Sequence, residues 1–208
     1  MTYIREACVE TLEQAFVAEE NGADRIELCA DLDVEGLTPS RELILSAKSH
    51  LNIPVRVMIR PRAGDFVYNN AEIKQMASDI AFCKEAGVDG VVLGILKEDK
   101  TINIDAVEKL AEIGKPMKFV FHKAIDETPA ILESVKSLRD SGVVNGILTS
   151  GGKNTAAEGV LQIKKIIALA GDMEVICAGK ITSENLEELH REINAKAYHG
   201  KRIVRRLK

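Results

Sequence analysis

The 208-residue sequence contains no C-x-x-C pair, no G-x-G-x-x-G turn, and no apolar run near the roughly 18 residues that span a bilayer. Without such a run, or an apolar core behind Met1, where Arg5, Glu6 and Glu10 follow instead, a membrane protein or an exported one is not expected. A cytoplasmic location is the expectation. Cys8, Cys29, Cys83 and Cys177 stand singly, so reduced thiols are expected rather than a disulfide framework. No proline- or glycine-rich linker divides the chain, which predicts a single domain over residues 1–208. A net charge of -4 speaks against nucleic-acid binding, although Lys201, Arg202, Arg205, Arg206 and Lys208 make the end of the chain basic. That tail reads as a solvated or frayed terminus.

Hydrophobic residues make up 46% of the chain and charged residues 29%, so it has enough apolar surface to fold throughout. Short β-branched runs alternate with longer amphipathic segments, the pattern of a parallel sheet joined by crossover helices. Strands are predicted at Tyr3 to Cys8, Asp24 to Cys29, Pro54 to Arg60, Gly90 to Ile95, Met117 to His122, Gly146 to Thr149, Glu174 to Ala178 and Ala197 to His199. Thr11 with Gln14 forms a capping box for the first helix, and Thr38-Pro39 suits the start of the second, which runs to about His50. Gly22, Gly87 and Gly142 each end a helix a few residues before a strand, the repeated joint of a βα unit.

Eight such strands predict an α/β fold, a TIM-type (β/α)8 barrel of eight parallel strands. Only nine residues follow His199, so the last helix is short or missing. A barrel without it would expose apolar surface there, which predicts a homo-oligomer.

Barrels of this kind carry their chemistry where strands end. Glu6 and Cys8 share one face of the first strand, and Glu27 and Cys29 share one face of the second. Glu27 suits acid/base catalysis, or alternatively a structural ion pair. Arg60, Arg62 and Asp65 follow the third strand, where guanidinium forks could hold an anionic substrate or build a structural network. Glu6 is a further substrate-binding candidate. His122 ends the fifth strand, with Asp126 near enough to orient it, as a catalytic pair or as a satisfied structural histidine. Thr149, Ser150 and Gly151 offer either an anion-binding turn or a plain tight turn. Soft sulfur selects Cu(I), and Cys8 and Cys29 on neighbouring strands could converge as metal ligands. The expected partner is thus a copper ion or a small carboxylate or phosphate metabolite.

Five segments together carry a resemblance: Asn21-Gly22-Ala23-Asp24-Arg25-Ile26-Glu27-Leu28-Cys29, Gly36-Leu37-Thr38-Pro39-Ser40, Met58-Ile59-Arg60-Pro61-Arg62 with Gly64-Asp65-Phe66 and Tyr68, Phe121-His122 with Asp126, and Leu148-Thr149-Ser150-Gly151. On these the chain resembles the CutC copper-homeostasis proteins over nearly its whole length. The resemblance implies a TIM-type barrel, a cytoplasmic location, oligomers in some members and a role in copper handling. It also implies Cu(I) at Cys8 and Cys29. The chain departs from the family pattern at Gly179-Lys180-Ile181, where a more glycine-rich turn is usual, and in its shortened C-terminal end.

Overall fold

The structure, a computed structural model, describes residues 3–207. The strands are β1 (Ile4–Val9), β2 (Arg25–Leu28), β3 (Val55–Met58), β4 (Gly90–Leu93), β5 (Lys118–Phe121), β6 (Gly146–Thr149), β7 (Glu174–Cys177) and β8 (Ala197–Gly200). Seven helices alternate with them: α1 (Leu12–Glu20), α2 (Arg41–His50), α3 (Asn70–Glu85), α4 (Ile104–Gly114), α5 (Ile131–Ser141), α6 (Ala156–Leu169) and α7 (Leu186–Ile193). Each strand pairs in parallel with its sequence neighbours, and β8 closes on β1 with Glu6 opposite His199. This is the eight-stranded parallel barrel that the alternating pattern predicts, with no eighth helix among the described residues. No helix among the described residues is long and apolar enough to cross a membrane.

Local signals set the element ends. Asn69 and Glu72 form a complete capping box on α3, as do Thr155 and Glu158 on α6. On α1 the box is half made, because Thr11 accepts the Gln14 N–H while the Gln14 side chain accepts from Glu10 instead. Gly22, Gly87 and Gly142 take φ values of 87°, 71° and 66°, the left-handed joints expected of them. Helix α2 starts later than Thr38-Pro39 suggests. Ser40 is its cap, because the Thr38 hydroxyl is already accepting the Arg60 N–H at 2.9 Å.

The end of the chain also differs from expectation. Beyond β8 the backbone turns, and Ile203, Val204 and Leu207 are buried in the main core while Lys201, Arg202, Arg205 and Arg206 stay exposed. The described part of the tail therefore covers apolar surface rather than fraying; Lys208 lies outside the described residues.

Strand alternation sorts side chains into two sets. Those facing the helices, such as Val9, Ile26, Val57, Leu93, Phe121 and Ile147, join the large outer core. The inward set is divided. Val92, Val120, Leu148, Ile176 and Ala197 form an apolar cluster on one side. On the other, Glu6, Arg25 and Arg56 are buried and interlocked with the partly buried Glu174. Arg25 and Arg56 both reach Glu6 Oε2, and their Nη2 atoms each lie 3.0 Å from Glu174 Oε2.

Each charge in this ring is met by two of opposite sign, which is what makes its burial tolerable. Removing one partner leaves its neighbours uncompensated. Glu6→Ala should therefore destabilise the protein by about 3–5 kcal/mol in chemical denaturation. Burial alone would raise the Glu6 pKa, yet the His199 hydrogen bond and the Arg25 and Arg56 charges hold it down at about 2. Its contribution should be complete above the ordinary value of 4.5 and lost as pH falls from there towards about 2, a loss that Glu6→Ala should not show.

Candidate functional site

A cavity of about 290 Å³ opens at the C-terminal ends of the strands. Cys8, Glu27 and His199 line it from the inward faces of β1, β2 and β8, Met58 from the end of β3 and Leu148 from β6. The loops beyond the strands contribute Glu35, Arg60, Phe66, His122, Lys123, Asp126, Glu127, Gly152, Lys153 and Asn154.

The register Cys8 opposite Glu27 brings both thiols and two carboxylates to one place. Cys8 Sγ lies 3.7 Å from Cys29 Sγ, which in turn lies 3.8 Å from Glu27 Oε1. His199 Nδ1 sits between two carboxylates, 3.0 Å from Glu6 Oε1 and 3.1 Å from Glu27 Oε2. Donor atoms of Cys8, Glu27 and His199 all fall within 4.8 Å of one another.

These contacts divide the charge. The hydrogen bond from Cys29 outweighs burial and, with His199, brings the Cys8 thiol down to about 5. The same bond, together with burial, pushes the Cys29 thiol well above its ordinary value. Burial pushes Glu27 up to about 8, with Cys8 and Glu6 acting in the same direction. Burial opposes charge on His199, but Glu27, Cys8 and Glu6 more than offset it and push its pKa well above the ordinary value. These contacts favour the charged form of Cys8 and of His199 and disfavour it for Cys29 and Glu27. Cys83 and Cys177 are elsewhere in the core, and burial pushes both up to about 12.

His122 stands apart from this group. Its Nδ1 accepts the Ala124 N–H at 3.1 Å, its ring packs 4.8 Å from the Phe66 centroid, and burial followed by the Arg60 charge brings its pKa down to about 3. The ring fits because residue 94 is glycine: a Cβ there would lie 2.5 Å from it. Arg60 is also buried, donating to the carbonyls of Val34 and Gly64 at 2.8 Å and of Gly36 at 3.3 Å. It thereby ties the loops after β2 and β3 together.

The remaining candidates serve the loops. Arg62 binds Glu72 at 2.6 Å and Asp65 at 2.8 Å, the structural alternative of the two foreseen, and neither Arg62 nor Asp65 lines the cavity. Asp126 does not orient His122, whose Nδ1 is taken by the backbone. Instead it accepts from the Thr149 hydroxyl, the Ser150 N–H and hydroxyl, and the Gly152 N–H. The Gly151 N–H goes to Thr149 Oγ1 at 2.9 Å, so the N–H groups of this turn are spent internally rather than offered to an anion. Glu6 supports His199 from below and is not in the cavity wall.

His199, Met58, Glu35, Lys123 and Lys153 line the cavity without having been singled out. For His199 a signal existed, since alternation from Ala197 puts it on the inner face of β8. The brevity of that strand concealed it.

Comparison with known proteins agrees with this architecture. A profile of the CutC family matches residues 3–204. A protein of Salmonella paratyphi B named as a family protein CutC is 40% identical over 183 residues, covering 88% of this chain and 73% of its own. The human copper homeostasis protein cutC homolog is 39% identical over 198 residues, covering 95% and 72%. The crystal structure of the Streptococcus agalactiae protein described as CutC superposes with a TM-score of 0.93 at 35% identity, over 98% of this chain and all of that one. With a match over nearly the whole length and relatives of this similarity, the chain belongs to the CutC family.

Proposed function

We propose that this protein acts in copper homeostasis by binding Cu(I) at the floor of the barrel mouth, with the sulfurs of Cys8 and Cys29 as ligands. The observation that carries this reading is the 3.7 Å approach of two thiols, Cys8 in the lining of an open cavity and Cys29 buried directly behind it. The donor chemistry fits the ion: soft sulfur favours Cu(I) over the hard cations that carboxylates select. Met58 packs with the two cysteines in one small cluster, so the surroundings are soft and largely dry. His199 and Glu27 stand within reach as further donors, and the Glu6 contact fixes the orientation of the imidazole. The family's human relative carries a copper-homeostasis name, which supports the same assignment.

Titrating the reduced protein with Cu(I) against a competing chelator tests this reading. Wild type should withhold the ion, and Cys8→Ser with Cys29→Ser should weaken binding by well over about tenfold. Unchanged affinity in the double variant removes the proposal.

A second reading is supported by a different feature, the convergence of the Glu27 carboxyl with the His199 and His122 imidazoles on a single cavity. Acid and base groups so placed suit an enzyme that moves protons on a small carboxylate or phosphate metabolite. Incubation with a panel of such compounds in deuterated water should show deuterium entering C–H bonds beside a carbonyl. Glu27→Gln should slow that exchange by about 10²- to 10⁴-fold. A panel that exchanges no faster than in buffer ends this reading.

A further inference from the structure

Away from the thiols, the cavity wall holds two buried N–H donors with nothing to receive their hydrogens. Because His122 Nδ1 accepts the Ala124 N–H, the ring proton resides on Nε2, and Nε2 has no hydrogen-bond partner although it is shut off from solvent. Arg60 Nε also lacks a partner in hydrogen-bonding geometry, although the equally unpartnered Tyr68 hydroxyl stands close enough to feel the guanidinium. Arg60 is only 3% exposed, its other side-chain nitrogens donate to backbone carbonyls, and among the described residues no carboxylate forms an ion pair with it. A buried cation without an opposite charge, next to a buried donor without an acceptor, is an arrangement that an isolated protein does not need. Both side chains pack on the same ring, Arg60 Cζ at 4.9 Å and the His122 imidazole at 4.8 Å from the Phe66 centroid, and all three line the cavity.

We propose that this wall binds the carboxylate group of a small organic acid, with Arg60 supplying the charge and His122 Nε2–H the directing hydrogen bond. The proposal rests on the second reading above and names its substrate class. Three observations select a carboxylate over a phosphate. His122 is held neutral by burial, so it adds a donor without adding a second positive charge. The rim residues Lys123 and Lys153 share the lining with three carboxylates, Glu35, Asp126 and Glu127, so the opening has no excess of positive charge of the kind a phosphate dianion calls for. The N–H groups after β6, which a phosphate would call on, are already taken by Asp126 and Thr149. Phe66, Met58 and Leu148 provide apolar surface for the carbon skeleton. The volume of about 290 Å³ stands at the small end of ligand sites, which run from about 300 Å³ upward.

The experiment uses the reduced, metal-free full chain, titrated separately with pyruvate and with inorganic phosphate while the imidazole N–H resonances are followed by NMR. Pyruvate should bind saturably and shift the His122 Nε2–H signal, and phosphate should do neither. His122→Leu should weaken pyruvate binding by about tenfold or more, while His122→Gln, which keeps an N–H donor, should retain most of it. Thermal denaturation establishes that both variants are folded; if the leucine variant is not, the wild-type resonance and the glutamine variant decide the matter. Equal binding by wild type and His122→Leu, or binding that leaves the Nε2–H signal unmoved, overturns the proposal. Phosphate binding in place of pyruvate overturns the carboxylate assignment and leaves the small-anion reading standing. Failure of both probes to bind overturns the proposal, and the deuterium-exchange panel then decides the second reading by itself.

Discussion

The ring of Glu6, Arg25, Arg56 and Glu174 inside the barrel is the interaction on which the rest of the arrangement depends. A barrel interior is ordinarily filled by branched aliphatic side chains, as the half formed by Val92, Val120, Leu148 and Ile176 is. Filling the other half with charges requires that every one be met. Glu6 is the pivot, because one oxygen receives both guanidinium groups and the other receives His199. Through that second contact, electrostatics deep in the barrel reach the cavity floor. The charged form of His199 is favoured, and the thiol pair beside it is made unequal, the Cys8 pKa brought down and the Cys29 pKa pushed up.

The cavity consequently has two walls of different chemistry on one frame. The floor is soft, built from Cys8, Cys29 and Glu27 on β1 and β2 and the residue that follows β2. The wall formed by Arg60, Phe66 and His122 is a donor surface carrying positive charge, held by loops rather than strands. The two proposed ligands, a soft cation and an organic anion, would therefore take separate places within one opening. This is a physical reason why copper handling and small-molecule chemistry need not exclude each other in this fold.

Much of the architecture was legible because it is written in local signals. The three glycine joints and the two complete capping boxes each act over a few residues, and the alternation of short and long apolar runs then counts the strands. What could not be read locally depended on which partner claimed a group first. Thr38 has the makings of a helix cap, but Arg60, 22 residues on, takes its hydroxyl. Asp126 lies four residues from His122 and serves a loop on the next strand instead. His199 is the clearest case. Alternation along a short strand puts it on the inner face, but its role follows from barrel closure, which sets it opposite Glu6, 193 residues away. The pairing of Cys8 with Cys29 was foreseeable from neighbouring strands, whereas the charge on each sulfur was not.

The unequal burial of the four thiols has a practical side. Cys29, Cys83 and Cys177 have no exposed surface, while Cys8 borders the cavity and is the one whose pKa is brought down. An electrophilic dye small enough to enter would find one reactive sulfur among four. The molecule thus carries its own single-site attachment point, seated where an attached reporter would sense whatever else tries to come in.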